Sequence, residues 1–225
     1  MMTFTILMVV VATGVFGNIA FGLDDKVFQR RLDGSVNFDK LWTDYKNGFG
    51  FLNTEFWLGN EKLAYLTAQK NYELRIDFRN KHGDPYYASY DHFRVGDSGN
   101  YYHLLLGVYS GNSGYDALDY HRNMSFSTSD ADHDEASWNC AFSNGGGWWF
   151  NACDYSNLNG RYGVEEEYGA VEWSGCMPGG FLCTQIHRDE DTAVITADER
   201  YTFAVLINSS FFSINRYIYR KHLVK

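Results

Sequence analysis

Apolar and polar residues alternate with a period of two along Tyr72-Glu-Leu-Arg-Ile-Asp-Phe78 and again along Tyr86-Tyr-Ala-Ser-Tyr-Asp-His-Phe93. That period puts every second side chain on one face of a strand, and the intervening Asn80-Lys-His-Gly-Asp-Pro85 is turn chemistry, so the pair predicts an antiparallel hairpin. Tyr101 to Tyr109 predicts a third strand, entered through the turn Gly96-Asp-Ser-Gly-Asn100. Upstream the spacing changes. Leu63, Leu66 and nearby alanines recur at intervals of three in Glu61 to Gln69, which predicts a helix, and Lys40 to Lys46 predicts a shorter one. The stretch from Asp130 to Gly163 has little periodicity and many Gly, Asn, Asp and Trp, so it needs staples or a bound ion to hold a shape. At the start, FTILMVVVATGVFGNIAF from Phe4 to Phe21 carries no charge before Asp24. It reads as a secretory leader over residues 1–22, with Ala20 and Gly22 as the small residues that cleavage after Gly22 requires, although no basic residue precedes the run. A signal anchor and a buried first strand are the other readings of such a start.

Composition narrows the class. The 225 residues hold 19 basic and 28 acidic side chains, a formal net charge of −9, and no Lys/Arg-rich run. A protein that grips a phosphate backbone needs a concentrated basic face, so nucleic acid is excluded as a partner. With 45% hydrophobic residues, 18% aromatic and only 21% charged, the chain can build a core, which excludes disorder for most of it. Twenty-two glycines and two prolines suit a loop-rich fold rather than a helical bundle. No internal repeat or linker divides the chain, so it reads as one domain from about residue 24. Cys140, Cys153, Cys176 and Cys183 make an even number, which suits two disulfides in an oxidising compartment. The histidines lack zinc spacing, Glu165-Glu-Glu167 has no second acid at glycosidase separation, and no nucleophile motif is present, so nothing indicates an enzyme. Trp148 and Trp149 read as core packing. Asn123-Met-Ser125 and Asn208-Ser-Ser210 are glycosylation sequons if the chain is secreted.

The chemistry concentrates in Asp130-Ala-Asp132-His-Asp134. Three carboxylates at alternate positions, with Asn139 nearby, suit calcium, which takes six to eight oxygens. This is not an EF-hand, whose loop would need glycine where Glu135 stands and glutamate where Ala141 stands. A solvated acidic turn is the plain alternative. Beyond it run Trp138-Asn-Cys-Ala141, Gly145-Gly-Gly-Trp-Trp-Phe-Asn-Ala-Cys153 and Ser156-Asn-Leu-Asn-Gly-Arg-Tyr162. The whole stretch Phe126 to Tyr162 closely resembles the fibrinogen C-terminal domain, shared by fibrinogen chains, ficolins, tachylectins and many invertebrate lectins. Val27 to Phe38 with Trp42, and Gly48 to Asn60, resemble the family's opening, so the resemblance covers about residues 27–174.

The resemblance implies an α+β fold: a twisted antiparallel central sheet, short helices and a loop-rich subdomain carrying calcium and the ligand pocket. It implies calcium on the carboxylates of Asp132 and Asp134 and the carbonyls of Ala136 and Trp138, with Asp130 supporting the loop. It pairs Cys140 with Cys153, a closure worth about 3 kcal/mol in the chain-entropy model, free thiols being the alternative. It places an acetyl group against the N–H groups of Cys153 and Asp154, after a peptide bond that the family often keeps cis, with Tyr168 near the pocket wall. Function follows as a secreted, non-enzymatic, calcium-dependent lectin that binds acetylated carbohydrates in innate immunity. The alternative is a receptor- or matrix-binding module without sugar binding, and either could form a homo-oligomer. Asp154 stands where the family commonly has histidine and adds negative charge beside the pocket. Residues 175–225 depart from the family's closing segment, with Cys176 and Cys183 as a candidate second disulfide.

Overall fold

The computed structural model describes residues 6–12, 26–80, 83–164, 169–175 and 183–184, with side chains from residue 27 onward except in the last pair. Its framework is an eight-stranded, wholly antiparallel sheet, built from β1 (Ile6–Ala12), β2 (Lys26–Arg31), β3 (Phe49–Gly50), β4 (Phe56–Trp57), β5 (Tyr72–Arg79), β6 (Pro85–Val95), β7 (Leu104–Leu106) and β8 (Tyr109–Gly111). The order is β3-β4-β2-β1-β5-β6-β7, and β8 pairs β6 beside β7. Helices α1 (Trp42–Asn47) and α2 (Asn60–Thr67) fall at the two predicted places, and the hairpin joins β5 to β6. Along β5, buried and partly exposed residues alternate from Tyr72 to Arg79, as the period-two pattern requires.

The expected third strand is two short ones. Tyr101 and Tyr102 both adopt positive φ, 49° and 55°, so the chain reverses there instead of extending, and Tyr102 N–H returns to the Asp97 carbonyl at 3.0 Å. Gly107 then separates β7 from β8: a Cβ on it would stand 2.0 Å from Asp91 Oδ1, the atom that accepts the Val108 N–H. Two aromatic residues in the left-handed region have no signature that periodicity can detect.

Strand β1 lies inside the stretch expected to be removed as a leader. It pairs with β2 from Ile6↔Arg31 to Val10↔Lys26 and with β5 from Leu7↔Asp77 to Ala12↔Tyr72. This arrangement corresponds to the other reading of an apolar start, a first strand. At the far end, β9 (Ser156–Asn157), β10 (Glu172–Trp173) and β11 (Cys183–Thr184) form a second sheet in the order β11-β10-β9. Strands β1 and β11 lie outside residues 23–174.

Between the sheet and the loop-rich part lies an aromatic core. Trp57, Phe126, Trp148 and Trp149 are buried, and Trp57, Phe126 and Trp149 meet with centroid separations of 5.3–6.0 Å. Gly147 allows this packing, since a Cβ there would stand 2.7 Å from the Phe126 ring and 2.8 Å from that of Tyr45. Among the described residues no helix is long and apolar enough to cross a membrane.

Candidate functional site

The acidic loop is shaped by its own carboxylates. Asp130 Oδ1 accepts from the Trp42 N–H at 2.8 Å and from Thr128 Oγ1 at 2.7 Å, so this acid ties the loop to α1. Asp134 is used twice, accepting from the Ala136 N–H and the Cys140 N–H, both at 2.9 Å. Asp132 Oδ1 accepts from the Asp134 N–H at 3.3 Å. The Asp134 carboxyl is pushed up to about 6 by burial and by the neighbouring Asp132 charge, against the opposing pull of its two backbone N–H bonds. A cation would relieve that repulsion. The carbonyls of Ala136 and Trp138 accept no hydrogen bond among the described residues, so the oxygens needed to extend such a site are uncommitted. No group of three or more acidic, histidine or cysteine side chains is assembled for a metal among the described residues, so carbonyls and water would supply most of the ligands.

Asn139 starts α3 (Cys140–Asn144) by accepting from the Phe142 N–H at 2.8 Å, while its Nδ2 donates to the Thr128 carbonyl at 3.0 Å. One cap therefore holds the helix and the acidic loop together. Cys140 and Cys153 are joined in a disulfide with sulfurs 2.05 Å apart, and the Ala152–Cys153 peptide is cis.

Behind Cys153 stands a residue that sequence reasoning left as an ordinary histidine. His121 is fully buried, and its Nδ1 lies 2.7 Å from the Trp149 carbonyl, which can only accept. Nδ1 therefore carries the proton, and Nε2 accepts the N–H groups of Tyr155 and Ser156, each at 3.2 Å. Burial depresses its pKa to about 4. The segment after Cys153 is thus held by a neutral imidazole, while the N–H groups of Cys153 and Asp154 themselves donate to no group among the described residues.

The Asp154 carboxylate accepts from Asn144 Nδ2 at 2.8 Å and is hydrogen-bonded to Glu172 on β10. Burial pushes both acids up, and the Asp154 charge pushes Glu172 further, to about 8. Glu172 carried no signal in sequence, because its partner is 18 residues away across a loop. Tyr168, Cys176 and Asn208 lie outside the described residues, as does the Cys183 side chain. Asn123 is exposed with φ 63°, on the rim of an open depression of about 410 Å³ lined also by Gly99, Asn100, Tyr101 and Ser125.

An antiparallel sheet carrying a disulfide-closed, loop-built site defines an α+β domain of the fibrinogen-like type. Residues 16–179 match the family described as fibrinogen beta and gamma chains, C-terminal globular domain, and the chain belongs to that family. It is 51% identical over 156 residues to fibrinogen-like protein A of Apostichopus parvimensis, covering 68% of this chain and 55% of that protein. It is 45% identical to human ficolin-3 over 66% of this chain and 50% of the relative, and 48% identical to chicken tenascin-R over 65% and 11%. The chain therefore spans about half the length of the first two and about a tenth of the third. Among solved structures, the fibrinogen-like globe domain of human ANGPTL2 superposes with a TM-score of 0.64 at 36% identity, covering 76% of this chain and 88% of that one. The lamprey fibrin D-dimer, complexed with the peptide Gly-His-Arg-Pro-amide, gives 0.61 at 31% identity, over 80% and 67%.

Proposed function

We propose that this domain is a secreted, non-enzymatic recognition module that binds acetylated carbohydrate in a calcium-dependent way and serves innate immunity. The observation that carries this reading is the pair of uncommitted donors at Cys153 and Asp154. Two adjacent N–H groups beside a disulfide-closed loop are left as donors for a ligand's carbonyl oxygen. The charge of Asp154 is partly taken up by Asn144, whose Nδ2 donates to the carboxylate. Asp132, Asp134 and the carbonyls of Ala136 and Trp138 would hold calcium. When bound, the ion supplies positive charge that joins the acidic loop to α3 and so fixes the end of the disulfide that carries the pocket. The likeness to human ficolin-3 supports the lectin side of the reading.

The test is retention on immobilised N-acetylglucosamine with elution by the free sugar. Wild type is expected to bind with calcium and not with chelator, and Asp132→Ala is expected to lose binding at least tenfold. Undiminished retention of Asp132→Ala would overturn the calcium mechanism.

A second reading, a module for a receptor or matrix protein, is favoured by exposed aromatic area. Trp138 and Phe142 flank the start of α3 at 55% and 77% exposure, in a place where a protein partner could bury them. The likeness to tenascin-R accords with it. Calcium-dependent stability without any response to acetylated sugars would favour this reading. Self-association through the same aromatics would add avidity to either.

A further inference from the structure

The carboxyl pair beside the pocket has neighbours that the acetyl-binding reading does not use. Glu172 stands directly opposite Asn157 in the β9–β10 ladder, so both side chains project from one face with Cβ atoms about 5 Å apart. Asn157 is fully buried, yet neither its Oδ1 nor its Nδ2 has a hydrogen-bond partner among the described residues. Asn144 donates its Nδ2 to Asp154, but its own Oδ1 is also buried and has no partner among those residues. Buried amide groups left unpaired are rare in folded proteins. Here two of them adjoin two carboxyl groups that have no cation paired with them among the described residues.

The donors are all oxygen: two carboxylates and two amide carbonyls. Such a set suits a hard divalent cation and offers no nitrogen or sulfur to zinc or copper. We propose that Asp154, Glu172, Asn144 and Asn157 form a second calcium site, separate from the acidic loop. The two carboxylates supply the charge, and Oδ1 of each asparagine completes the protein ligands. Asn157 Nδ2 remains to donate to a coordinated water. Calcium binds the pair with both acids ionised. The acid at position 154 is then a ligand, rather than a misplaced charge beside an acetyl pocket.

The experiment is a calorimetric calcium titration of the full chain at pH 7, with calcium chloride alone as the probe. Wild type is expected to bind about two equivalents. Asp154→Asn/Glu172→Gln and Asp132→Ala/Asp134→Ala are each expected to bind one equivalent. If the Asp154→Asn/Glu172→Gln protein binds as many equivalents as wild type, the second site is overturned. If instead the Asp132→Ala/Asp134→Ala protein keeps both, the loop site fails and this one stands. Should the double amide variant fail to fold, Glu172→Gln alone decides, since two equivalents still bound by that protein overturn the proposal.

Discussion

His121 shows how one buried side chain can give the domain its acid limit. Its Nε2 can accept the Tyr155 and Ser156 N–H groups only while neutral, and burial holds the ring neutral down to a pKa of about 4 against 6.5 in the open chain. The unfolded chain therefore binds the extra proton first as pH falls. The contribution is complete above about pH 6.5 and is lost progressively as pH drops toward 4, amounting to about 3 kcal/mol over that window. Urea unfolding of wild type in steps from pH 7 to 4 is expected to show this decline, and His121→Gln to show a flatter acid limb. Parallel curves for the two proteins would remove His121 from the account. Asp134, Asp154 and Glu172 act with the opposite sign, because each binds its proton more tightly folded than unfolded. Without calcium they favour the fold at low pH and cost stability as pH rises through about 6 to 8.

At the scale of elements, the apolar segment Ile6–Ala12 stands at the middle of the sheet. Both of its edges are hydrogen-bonded, so a chain beginning at Leu23 would leave the facing N–H and C=O groups of β2 and β5 without partners. Such a chain is expected to melt at a lower temperature than the full one, with faster amide exchange concentrated in Lys26–Arg31 and Tyr72–Asp77. Equal melting temperatures and equal protection would show that β1 contributes nothing to the fold. This ambiguity was visible in sequence but not decidable there. A run of seven apolar residues without alternation suits a leader as well as a strand paired on both sides, and only pairing partners distinguish the two. The β5–β6 hairpin and both helices were legible because their signals are local: a period, a turn, a spacing of three. The split between β7 and β8 was not, because Tyr101 and Tyr102 take left-handed conformations that their residue type does not advertise. The acidic loop and the Cys140–Cys153 pairing were legible through a long contiguous motif. Glu172, Asn157 and His121 reach the same site from distant segments, and no contiguous motif contains them.

Over the whole molecule, the sheet and the loop-rich part are joined by a buried charge cluster. Arg31 on β2 and Glu55 before β4 are 2% and 0% exposed and lie 3.4 Å apart. Arg31 Nη1 donates to the carbonyls of Leu158 and Gly160 at 3.2 and 2.7 Å, and Gln29 Nε2 adds Leu158 and Asn159. The guanidinium also lies 4.0 Å from the Phe38 ring centroid. Glu55 accepts the N–H groups of Leu32, Gly34 and Val36 at 2.8, 3.1 and 2.9 Å, and that of Asp33 at 3.3 Å. The two ends of the cluster are not equivalent. Replacing Arg31 by Met leaves Glu55 with its backbone donors, whereas Glu55→Gln turns an amide N–H₂ toward at least one backbone N–H and removes the negative charge that faces the buried guanidinium. Glu55→Gln is therefore expected to cost about 3–5 kcal/mol in urea unfolding, and Arg31→Met less. Because the bonds from Arg31 span more than 120 residues of sequence, either change should speed amide exchange in Leu158–Gly160 as well as around β2. Exchange that changes only around β2 would mean that the two parts are held together by the Trp57–Trp149 aromatic core instead.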